Sequence, residues 1–551
     1  MGDLAQDTTV VGADGRYRAS ISGDWEIWGP MGGYVAAVAL RAAAMEAPPS
    51  LEPASFTCQF LSAARFDAVD IAVAVRRASR RTAAITVQIA QEGTAILDAQ
   101  VWFATPGDVV RHDYAKPHPH GHPDDHRPFS DYADDEGPHF PFWNNFDGKR
   151  YLDLSSQLVN LNIGHQHPRL VAAIQEQAGK LCSVSPAFAV DVRSEAARLI
   201  AERAPADLDL VFFTNGGAEA NEYAVRMARL HTGRAKVMAA YRSYHGATAG
   251  AISLTGEPRR WGSEPGVPGV VRFWGPYLYR SSFHAETEAD ECERALTHLR
   301  EILMVEGAHT VAALILEPVV GTNGILVPPD GYLAGVRAIC DEFGIVMIAD
   351  EVMAGFGRCG EWFSVDRWGV TPDLITFAKG VNSGYVPLGG VIISQRIAKT
   401  FARQPFPGGL TYSGHPLACA SAAASIEIFE DEGIIEHART IGENVIGPSL
   451  RDLATRHPSI GEVRGLGVFW ALELVRNRTT REPLVPYNAS GPDAQPMAAF
   501  AGAMREQGAW PFVHFNRTHF VPPCNVSESE VQEGIAALDI ALEVTDRYST
   551  E

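Results

Sequence analysis

Three charged side chains follow apolar, strand-like runs of the sequence, each at the point where the run ends. Glu317 closes VAALILE, Asp350 closes GIVMIAD, and Lys379 lies near the end of PDLITFAKG. In an open α/β sheet, ligands bind at the carboxyl ends of the strands, where a buried charge has a use. Any one of these residues alone is equally consistent with a solvated loop charge. Three of them at strand ends predict a shared site.

The amine and one of the carboxylates suit two tasks in the same reaction. A lysine whose amine attacks a carbonyl needs a partly desolvated site, and a protonated pyridinium nitrogen needs a carboxylate facing it. Lys379 suits the first task and Asp350 the second. Once released, the Lys379 amine can also move a proton as general acid and base. We therefore expect chemistry on a pyridine-ring cofactor.

A glycine pair indicates where the phosphate of such a cofactor would bind. The strand-like run from Leu210 to Phe213 is followed by TNGGAEANE and then by a helical segment. Gly216 and Gly217 therefore fall at a helix N-terminus, where backbone N–H groups and the helix dipole favour an anion. The same pair is also typical of a plain tight turn, so the signal is weak by itself.

Two further residues could contact the cofactor. Tyr244, in YRSYHGATAG, could stack its ring on the cofactor ring, although a tyrosine of the core would look the same in sequence. Thr411, in GGLTYSGHP, lies in a glycine-rich turn from which its hydroxyl could reach a phosphate.

The chain changes character twice along its length. Residues 17 to 105 combine one helical run with alternating strand-like segments, which predicts a helix laid across an antiparallel sheet. Residues 106 to 146 are rich in Pro, His and Asp, as linkers are. From Asp147 onward, apolar strands alternate with helices, which predicts a mostly parallel α/β sheet. We expect no metal site, because the linker histidines have nothing to fix their geometry; they are His118, His120, His122 and His126.

Composition excludes some classes of protein. The formal net charge of −20 and the lack of a long basic run argue against nucleic-acid binding. The 7 cysteines stand singly, as in a reducing compartment. The first twenty residues have no continuous apolar run, and no apolar stretch elsewhere is long enough to cross a bilayer. We expect a cytoplasmic protein with no membrane partner.

From Asp147 to the C-terminus the chain resembles the class III aminotransferases. The shared motifs are GKRYLDLSSQLVNLNIGHQHP, TNGGAEANE, YRSYHG, ILEPVVG, IADEVMAGFGR, FAKG, LTYSGHP and VRGLG. The resemblance implies pyridoxal 5'-phosphate as cofactor. It also implies the fold type I of pyridoxal-phosphate-dependent transferases: a large domain with a mostly parallel sheet (residues 147–410) and a smaller C-terminal α+β domain (residues 411–551).

The resemblance also assigns roles to individual residues. Lys379 would form the Schiff base with the cofactor, Asp350 would face the pyridine nitrogen, Tyr244 would stack on the ring, and Val352 would contact the opposite ring face. The remaining cofactor contacts that it implies are Glu317, the phosphate-holding Gly216, Gly217 and Ala218, and Thr411. Thr411 would come from a second subunit, so a homodimer or a higher homo-oligomer is implied.

Within the family, the sequence is most similar to taurine and related ω-amino acid aminotransferases. These enzymes pass a terminal amine to pyruvate or 2-oxoglutarate. Members that use glutamate often carry a Glu–Arg pair, but here the corresponding positions look like Thr322 and His519. Other residues must then bind the acidic group of the substrate, and the candidate contacts are His519, Arg517 and Arg242. A structural hydrogen bond or a solvated charge is an equal alternative for each of them.

The front of the chain resembles another family. Residues 1–106 are similar to the first half of an acyl-CoA thioesterase of the α+β hotdog type, joined by a linker over residues 107–146. The catalytic carboxylate of double-hotdog thioesterases generally belongs to the second half, so we expect a binding or assembly module. Two alternatives to transamination stay open at this point. One is an acyl-CoA binding or hydrolysing protein with a degenerate large domain, and the other is aminomutase or decarboxylase chemistry on the same cofactor.

Overall fold

A computed structural model describes residues 4–23, 32–105, 143–146 and 149–550. The chain divides into two compact units, Met1–Pro119 and His120–Glu551. Most of the predicted linker, with its four histidines, lies outside the described residues. Within the described residues, no helix is long and apolar enough to cross a membrane.

The first unit is one antiparallel sheet with a helix packed on it. The strand order is β1-β2-β4-β5-β6-β3. The α2 helix places Tyr34, Val38 and Ala42 in the same core as Ile85 and Val87 of β5, in keeping with the helical and alternating patterns of the sequence. The elements are α1 (Leu4–Asp7), β1 (Val11–Ala13), β2 (Arg16–Ser20), α2 (Gly32–Glu46), β3 (Glu52–Phe60), β4 (Ala68–Ala78), β5 (Thr82–Gln91) and β6 (Thr94–Ala104).

The second unit carries the other strands and helices. Its strands are β7 (Trp143–Phe146), β8 (Lys149–Asp153), β9 (Leu208–Thr214), β10 (Lys236–Ala240), β11 (Val270–Phe273), β12 (Val311–Leu316), β13 (Val346–Asp350), β14 (Leu374–Phe377), β15 (Gly389–Ser394), β16 (Ile460–Leu466), β17 (Phe469–Asn477), β18 (Glu482–Pro483), β19 (Ala509–Trp510), β20 (Phe512–His514) and β21 (Arg517–Phe520). Its helices are α3 (Ser156–Val159), α4 (Pro168–Lys180), α5 (Asp191–Ala201), α6 (Gly217–Thr232), α7 (Ala249–Leu254), α8 (Glu288–Glu306), α9 (Tyr332–Phe343), α10 (Gln395–Arg403), α11 (Pro416–Asp431), α12 (Ile434–Ile441), α13 (Gly447–Arg456), α14 (Gln495–Glu506) and α15 (Glu528–Asp546).

A seven-stranded sheet forms the centre of this unit. Its order is β11-β10-β12-β13-β14-β15-β9. The first five strands are parallel, and β15 is antiparallel to both of its neighbours. The sequence predicted this mostly parallel sheet.

Helices cover both faces of the large sheet. Along β12, Ala313 and Ile315 pack with α6, whereas Leu314 packs on the opposite face with Val336 of α9. Because both faces are buried, the central strands are continuously apolar rather than alternating. The first available position for a charged side chain is therefore the end of each strand.

A second sheet belongs to the C-terminal part of the chain. Its order is β16-β17-β21-β20, with β18 paired to β17. The β21 strand carries Arg517 and His519 and pairs antiparallel with β17. The C-terminal helix α15 begins after Ser527, whose hydroxyl accepts the Glu530 N–H in a capping box, as the Ser-capped terminal helix of the sequence predicted.

Candidate active site

The carboxyl ends of three adjacent strands bring Glu317, Asp350 and Lys379 together. Glu317 directly follows β12, Asp350 is the last residue of β13, and Lys379 lies two residues beyond β14. These strands are neighbours in the large sheet. Both carboxylates act electrostatically on the Lys379 amine, so the three groups share one site.

Lys379 has an unusual backbone conformation. Its φ is +45°, in the left-handed region that non-glycine residues rarely adopt. The next residue, Gly380, could not carry a Cβ without clashing with the side chain of Asn162. Strained residues of this kind persist only where the surroundings fix them, and they concentrate at functional sites.

The surroundings of Lys379 favour its neutral amine. Burial lowers the pKa of Lys379, while the nearby charges of Asp350 and Glu317 act in the opposite direction, and the net pKa stays below the ordinary value of lysine. A larger fraction of the amine is therefore deprotonated at neutral pH than in a solvated lysine. This is the state that a nucleophilic lysine needs.

The lowered pKa predicts selective labelling of Lys379. In coenzyme-free protein, acetylation of Lys379 should reach half of its maximum rate at a lower pH than acetylation of Lys180. The pKa of Lys180 is raised because its amine is hydrogen-bonded to Glu176. Labelling across a pH series, followed by peptide mass spectrometry, gives both midpoints in one sample. A midpoint for Lys379 at or above that of Lys180 contradicts the expected shift.

Asp350 is held in a buried hydrogen-bond network. Only 3% of it is exposed. Its Oδ2 accepts a bond of 2.8 Å from the Asn221 amide and lies 2.7 Å from Nδ1 of His245, and its Oδ1 accepts the Val352 N–H at 3.1 Å. Asn221 is itself fixed by the Thr376 hydroxyl at 2.7 Å. The carboxylate is thus held at one position at the strand end.

Glu317 is held by hydrogen bonds from backbone groups. Its carboxylate accepts the N–H of Tyr244 and the N–H of Gly321, both at 2.8 Å. Burial, assisted by the charge of Asp350, raises the pKa of Glu317 to about 7. Near neutral pH this group can therefore either accept or donate a proton.

The predicted phosphate loop lies at the start of α6. The helix begins at Gly217, so the N–H groups of its first turn have no helical partner. A Cβ on Gly389 would lie 2.7 Å from the backbone of Gly216, and a Cβ on Gly217 would lie 2.7 Å from the Val352 side chain. A residue without a Cβ is therefore required at Gly217 and at Gly389, and with Gly216 and Ala218 the loop leaves the helix N-terminus open to an anion.

Tyr244 presents an aromatic face beside these groups. The Cζ atom of Arg259 lies 3.7 Å from the centroid of the Tyr244 ring. Arg259 is in turn paired with Glu257. While Arg259 covers one face of Tyr244, a coenzyme ring would have to stack on the other face.

Thr411 lies apart from the buried groups. It is exposed, in a turn just before α11. The neighbouring Tyr412 is 63% exposed. Within a single chain, the structure does not bring Thr411 into the buried site of Asp350.

A cavity, here called the arginine pocket, lies where the large sheet meets the C-terminal sheet. Its volume is about 430 Å³. It is lined by Arg242, Arg260, Arg280, Arg517, Glu257 and Glu473, with Trp261, Trp274, Tyr277 and Tyr487 among its aromatic walls. The pocket contains two of the three anion contacts nominated from the sequence.

The third nominated contact, His519, does not line the arginine pocket. Its ring is 2% exposed and stacks on Phe512 with 4.8 Å between centroids. Burial lowers the pKa of His519 well below its ordinary value. The imidazole is therefore neutral at pH 7 and offers no charge to an anion, so this expectation is not supported by the structure.

The residues that are present fit pyridoxal phosphate. The open N-terminus of α6 suits the phosphate, the Tyr244 face suits the ring, the buried Asp350 suits the pyridine nitrogen, and the neutral-leaning Lys379 suits the aldehyde carbon. These complementary groups come from strand ends and loops of the same sheet edge.

The sequence did not indicate the residues that hold the cofactor-contacting side chains in position. His245 and Asn221 fix Asp350, and Glu257 anchors Arg259. His245 directly follows Tyr244. Its position next to a predicted cofactor contact was the one feature of the sequence that could have indicated its role. Asn221 lies one helical turn after Gly217, on the side of α6 that faces the sheet.

Comparison with known families gives two matches on separate parts of the chain. Residues 140–542 match the family described as aminotransferase class III. Residues 21–104 match the family described as acyl-CoA thioesterase N-terminal domain.

Individual relatives cover most of the second unit. A 5-aminovalerate aminotransferase of Pseudomonas aeruginosa is 34% identical over 402 residues, which cover 71% of this chain and 89% of that protein. A taurine–pyruvate aminotransferase of Bilophila wadsworthia is 32% identical over 422 residues, or 73% and 90% of the two chains. The crystal structure of taurine:2-oxoglutarate aminotransferase from Bifidobacterium kashiwanohense, with PLP and glutamate bound, is 39% identical with a TM-score of 0.71 and covers 75% of this chain and 94% of that one.

Proposed function

Because the chain belongs to the class III aminotransferases, we propose that it moves an amino group from a primary ω-amino donor, such as taurine or β-alanine, to pyruvate or 2-oxoglutarate. The observation that carries this proposal is the convergence of Lys379, Asp350 and Glu317 beside an open helix N-terminus.

Membership of the family confirms several predictions from the sequence. The protein is an enzyme that depends on pyridoxal phosphate and exchanges an amino group between an amine donor and a 2-oxo acid. The predicted fold class is confirmed as well, including the thioesterase-like domain at the front. Transamination is therefore favoured over the reading in which the large domain is a degenerate scaffold.

The site residues take distinct roles in this proposal. When bound, pyridoxal phosphate supplies an aldehyde that captures the amine and a ring that withdraws electrons. Lys379 would hold the coenzyme, and its Nζ would then move a proton from the amine-bearing carbon of the donor to the carbon of the coenzyme aldehyde. Asp350 keeps a proton on the pyridine nitrogen, and Gly216, Gly217 and Ala218 bind the phosphate.

The donor class follows from relatives and from the arginine pocket together. The relatives named for taurine and 5-aminovalerate act on amines at the end of a short acid. At the positions where glutamate-using members carry a charged pair, Thr322 is buried and His519 is neutral. Arg242 and Arg517 are then the groups that can hold the acid end of the donor.

The assembly and compartment are part of the same proposal. We infer a homodimer in which Thr411 reaches the coenzyme phosphate of the partner subunit, since Thr411 is exposed within its own chain. We infer a cytoplasmic location from cysteines that are all unpaired in the structure.

A half-reaction screen tests the proposed donor class. We expect taurine, β-alanine and 5-aminovalerate to convert the bound coenzyme to its aminated form at rates at least about tenfold above that of L-alanine, because the arginine pocket accepts an acid group distant from the amine. Stopped-flow absorbance of the yellow holoenzyme measures each rate. Equal rates for the ω-amines and L-alanine would refute this donor class.

The first unit supports a second activity that can be tested on the same protein. Its match to an acyl-CoA thioesterase N-terminal domain makes thioester binding or hydrolysis the competing candidate. A thiol-release assay with short and long acyl-CoA separates the candidates. Release of coenzyme A by protein that performs no amine half-reaction would favour the thioesterase candidate. Amino transfer between separate donor and acceptor molecules would favour transamination. The same result would argue against mutase or decarboxylase chemistry.

A further inference from the structure

The arginine pocket contains two guanidinium groups that form no direct ion pair with a described carboxylate, although the nearby charge of Glu473 acts on both. Each acid at or beside the pocket already has an arginine partner. The pairs are Glu257 with Arg259, Glu264 with Arg260, and Glu473 with Arg280 and Arg464. Among the described residues, neither Arg242 nor Arg517 has a carboxylate within ion-pairing distance. Counted over its lining residues alone, which include four arginines and two glutamates, the pocket has a surplus of two positive charges.

Both unpaired guanidinium groups are fixed at the pocket wall. Arg242 lies 5.0 Å from the ring centroids of both Trp274 and Tyr277. Arg517 is 7% exposed and donates one hydrogen bond, to the carbonyl of Asn323, while its Nε has no partner among the described residues. The Asn323 amide nitrogen is likewise buried without an acceptor there. Two buried donors beside the cavity, on Arg517 and Asn323, therefore have no acceptor among the described residues.

Such an arrangement is unfavourable without a ligand anion. Arg517 is buried and Arg242 is half-buried, so these two cations facing one cavity are largely desolvated and repel each other. Burial lowers the pKa of both Arg242 and Arg517, and each is lowered further by neighbouring arginines. An anion with several oxygens would satisfy the unused N–H groups and neutralise the surplus charge.

We propose that the arginine pocket binds a dianionic tetrahedral group, so that the preferred donor is an ω-amine ending in a phosphonate or a phosphate monoester. The surplus of two charges matches a phosphate-type group, which carries close to two negative charges at neutral pH. The pocket also borders the coenzyme position, because Glu257 of its wall holds Arg259 against the ring of Tyr244. The donor part of this inference rests on the proposed transaminase function.

Binding of unreactive head-group analogues tests the pocket independently of catalysis. Ethylphosphonate, ethanesulfonate and propionate share an ethyl chain and lack the amine, and they are titrated into the holoenzyme by calorimetry. We expect ethylphosphonate to bind at least about tenfold tighter than either monoanion, because it can use both unpaired arginines. Its affinity should rise with pH through its second ionisation, whereas the affinities of the monoanions should not.

Variants of Arg242 locate the effect. Arg242→Gln should reduce the preference for ethylphosphonate to within about threefold, and Arg242→Lys, which keeps the charge but loses the planar stacked guanidinium, should retain only part of it. Arg451→Gln is the matched control, since Arg451 is an exposed arginine that lies 5.2 Å from the Trp470 ring. Equal binding of the three analogues, or an undiminished preference in folded Arg242→Gln, would overturn the proposal.

Kinetic measurements with two phosphorus-containing amines test the proposed donor separately. With 2-aminoethylphosphonate and O-phosphoethanolamine, kcat/KM of the half-reaction should exceed that of taurine at least about tenfold, and the difference between the two shows whether a phosphonate or a phosphate ester is preferred. If both react more slowly than taurine, the assignment of donor is wrong. If ethylphosphonate binds tightly but none of the amines tested converts the coenzyme to its aminated form, the transaminase function is refuted and the anion site is still supported.

Discussion

Replacing Lys379 by alanine is expected to lower kcat/KM for transamination by about 10³-fold or more. The variant loses the amine that holds the coenzyme, and it also loses the group that moves the proton, a task that by itself contributes about 10²–10⁴ in rate. Desolvation at the strand end lowers the pKa of Lys379, whereas the pKa of Lys180, another described lysine, is raised.

Reduction with borohydride separates loss of the coenzyme link from unfolding. In the wild-type enzyme, peptide mapping after reduction should find the coenzyme mass on the peptide containing Lys379. In Lys379→Ala no peptide should carry it, while the far-ultraviolet circular dichroism stays unchanged. Lys399→Ala is the control, since Lys399 lies exposed on α10. Attachment at another lysine with normal turnover would show that Lys379 has been misassigned.

The strand ends were predictable from the sequence because of a simple physical constraint. Parallel strands covered on both faces must be apolar throughout, so a charged residue at the end of such a run has to lie at the rim of the sheet. This places Glu317, Asp350 and Lys379 at one edge without any knowledge of tertiary contacts. The glycines at the start of α6 follow in the same way from the strand-to-helix transition.

The supporting residues could not be predicted in the same way. His245 and Asn221 reach Asp350 from a loop and from α6, which lie 105 and 129 residues from it in the chain. No local pattern encodes such a meeting. His519 could not be placed from the sequence either: it was nominated as an anion contact, yet β21 buries its ring against Phe512.

The arginine pocket could be predicted in part from the sequence, but its charge could be read only from the structure. Arg242 and Arg517 were nominated as anion contacts from the sequence alone, whereas their significance depends on which carboxylates are already paired. That pairing joins distant segments, as in Arg280 with Glu473. A count of charges along the sequence gives a surplus of acid, while the pocket itself has a surplus of base.

Asp350→Asn is expected to lower kcat by about 10²–10³, a range typical for the loss of one preorganised electrostatic contact in an active site. The substitution preserves shape, and an asparagine oxygen can still accept from the Asn221 amide. It removes the negative charge that would keep the pyridine nitrogen protonated, so the ring would withdraw electrons less strongly. Binding of the coenzyme should change far less than turnover, since the phosphate contacts at Gly217 are untouched.

The pH dependence of the coenzyme absorbance distinguishes this role from a structural one. With Asp350 present, the ring proton should persist across the stable pH range of the enzyme. In Asp350→Asn it should be lost as the pH rises within that range, because an opposite charge that favoured the protonated form is gone. Asp209→Asn, at an exposed position of β9, should leave both the spectrum and kcat unchanged. An Asp350→Asn enzyme with more than about a tenth of the wild-type kcat and an unaltered spectral pH profile would show that the ring is protonated by another group. The closest alternative is Glu317, whose pKa of about 7 would let it carry that proton.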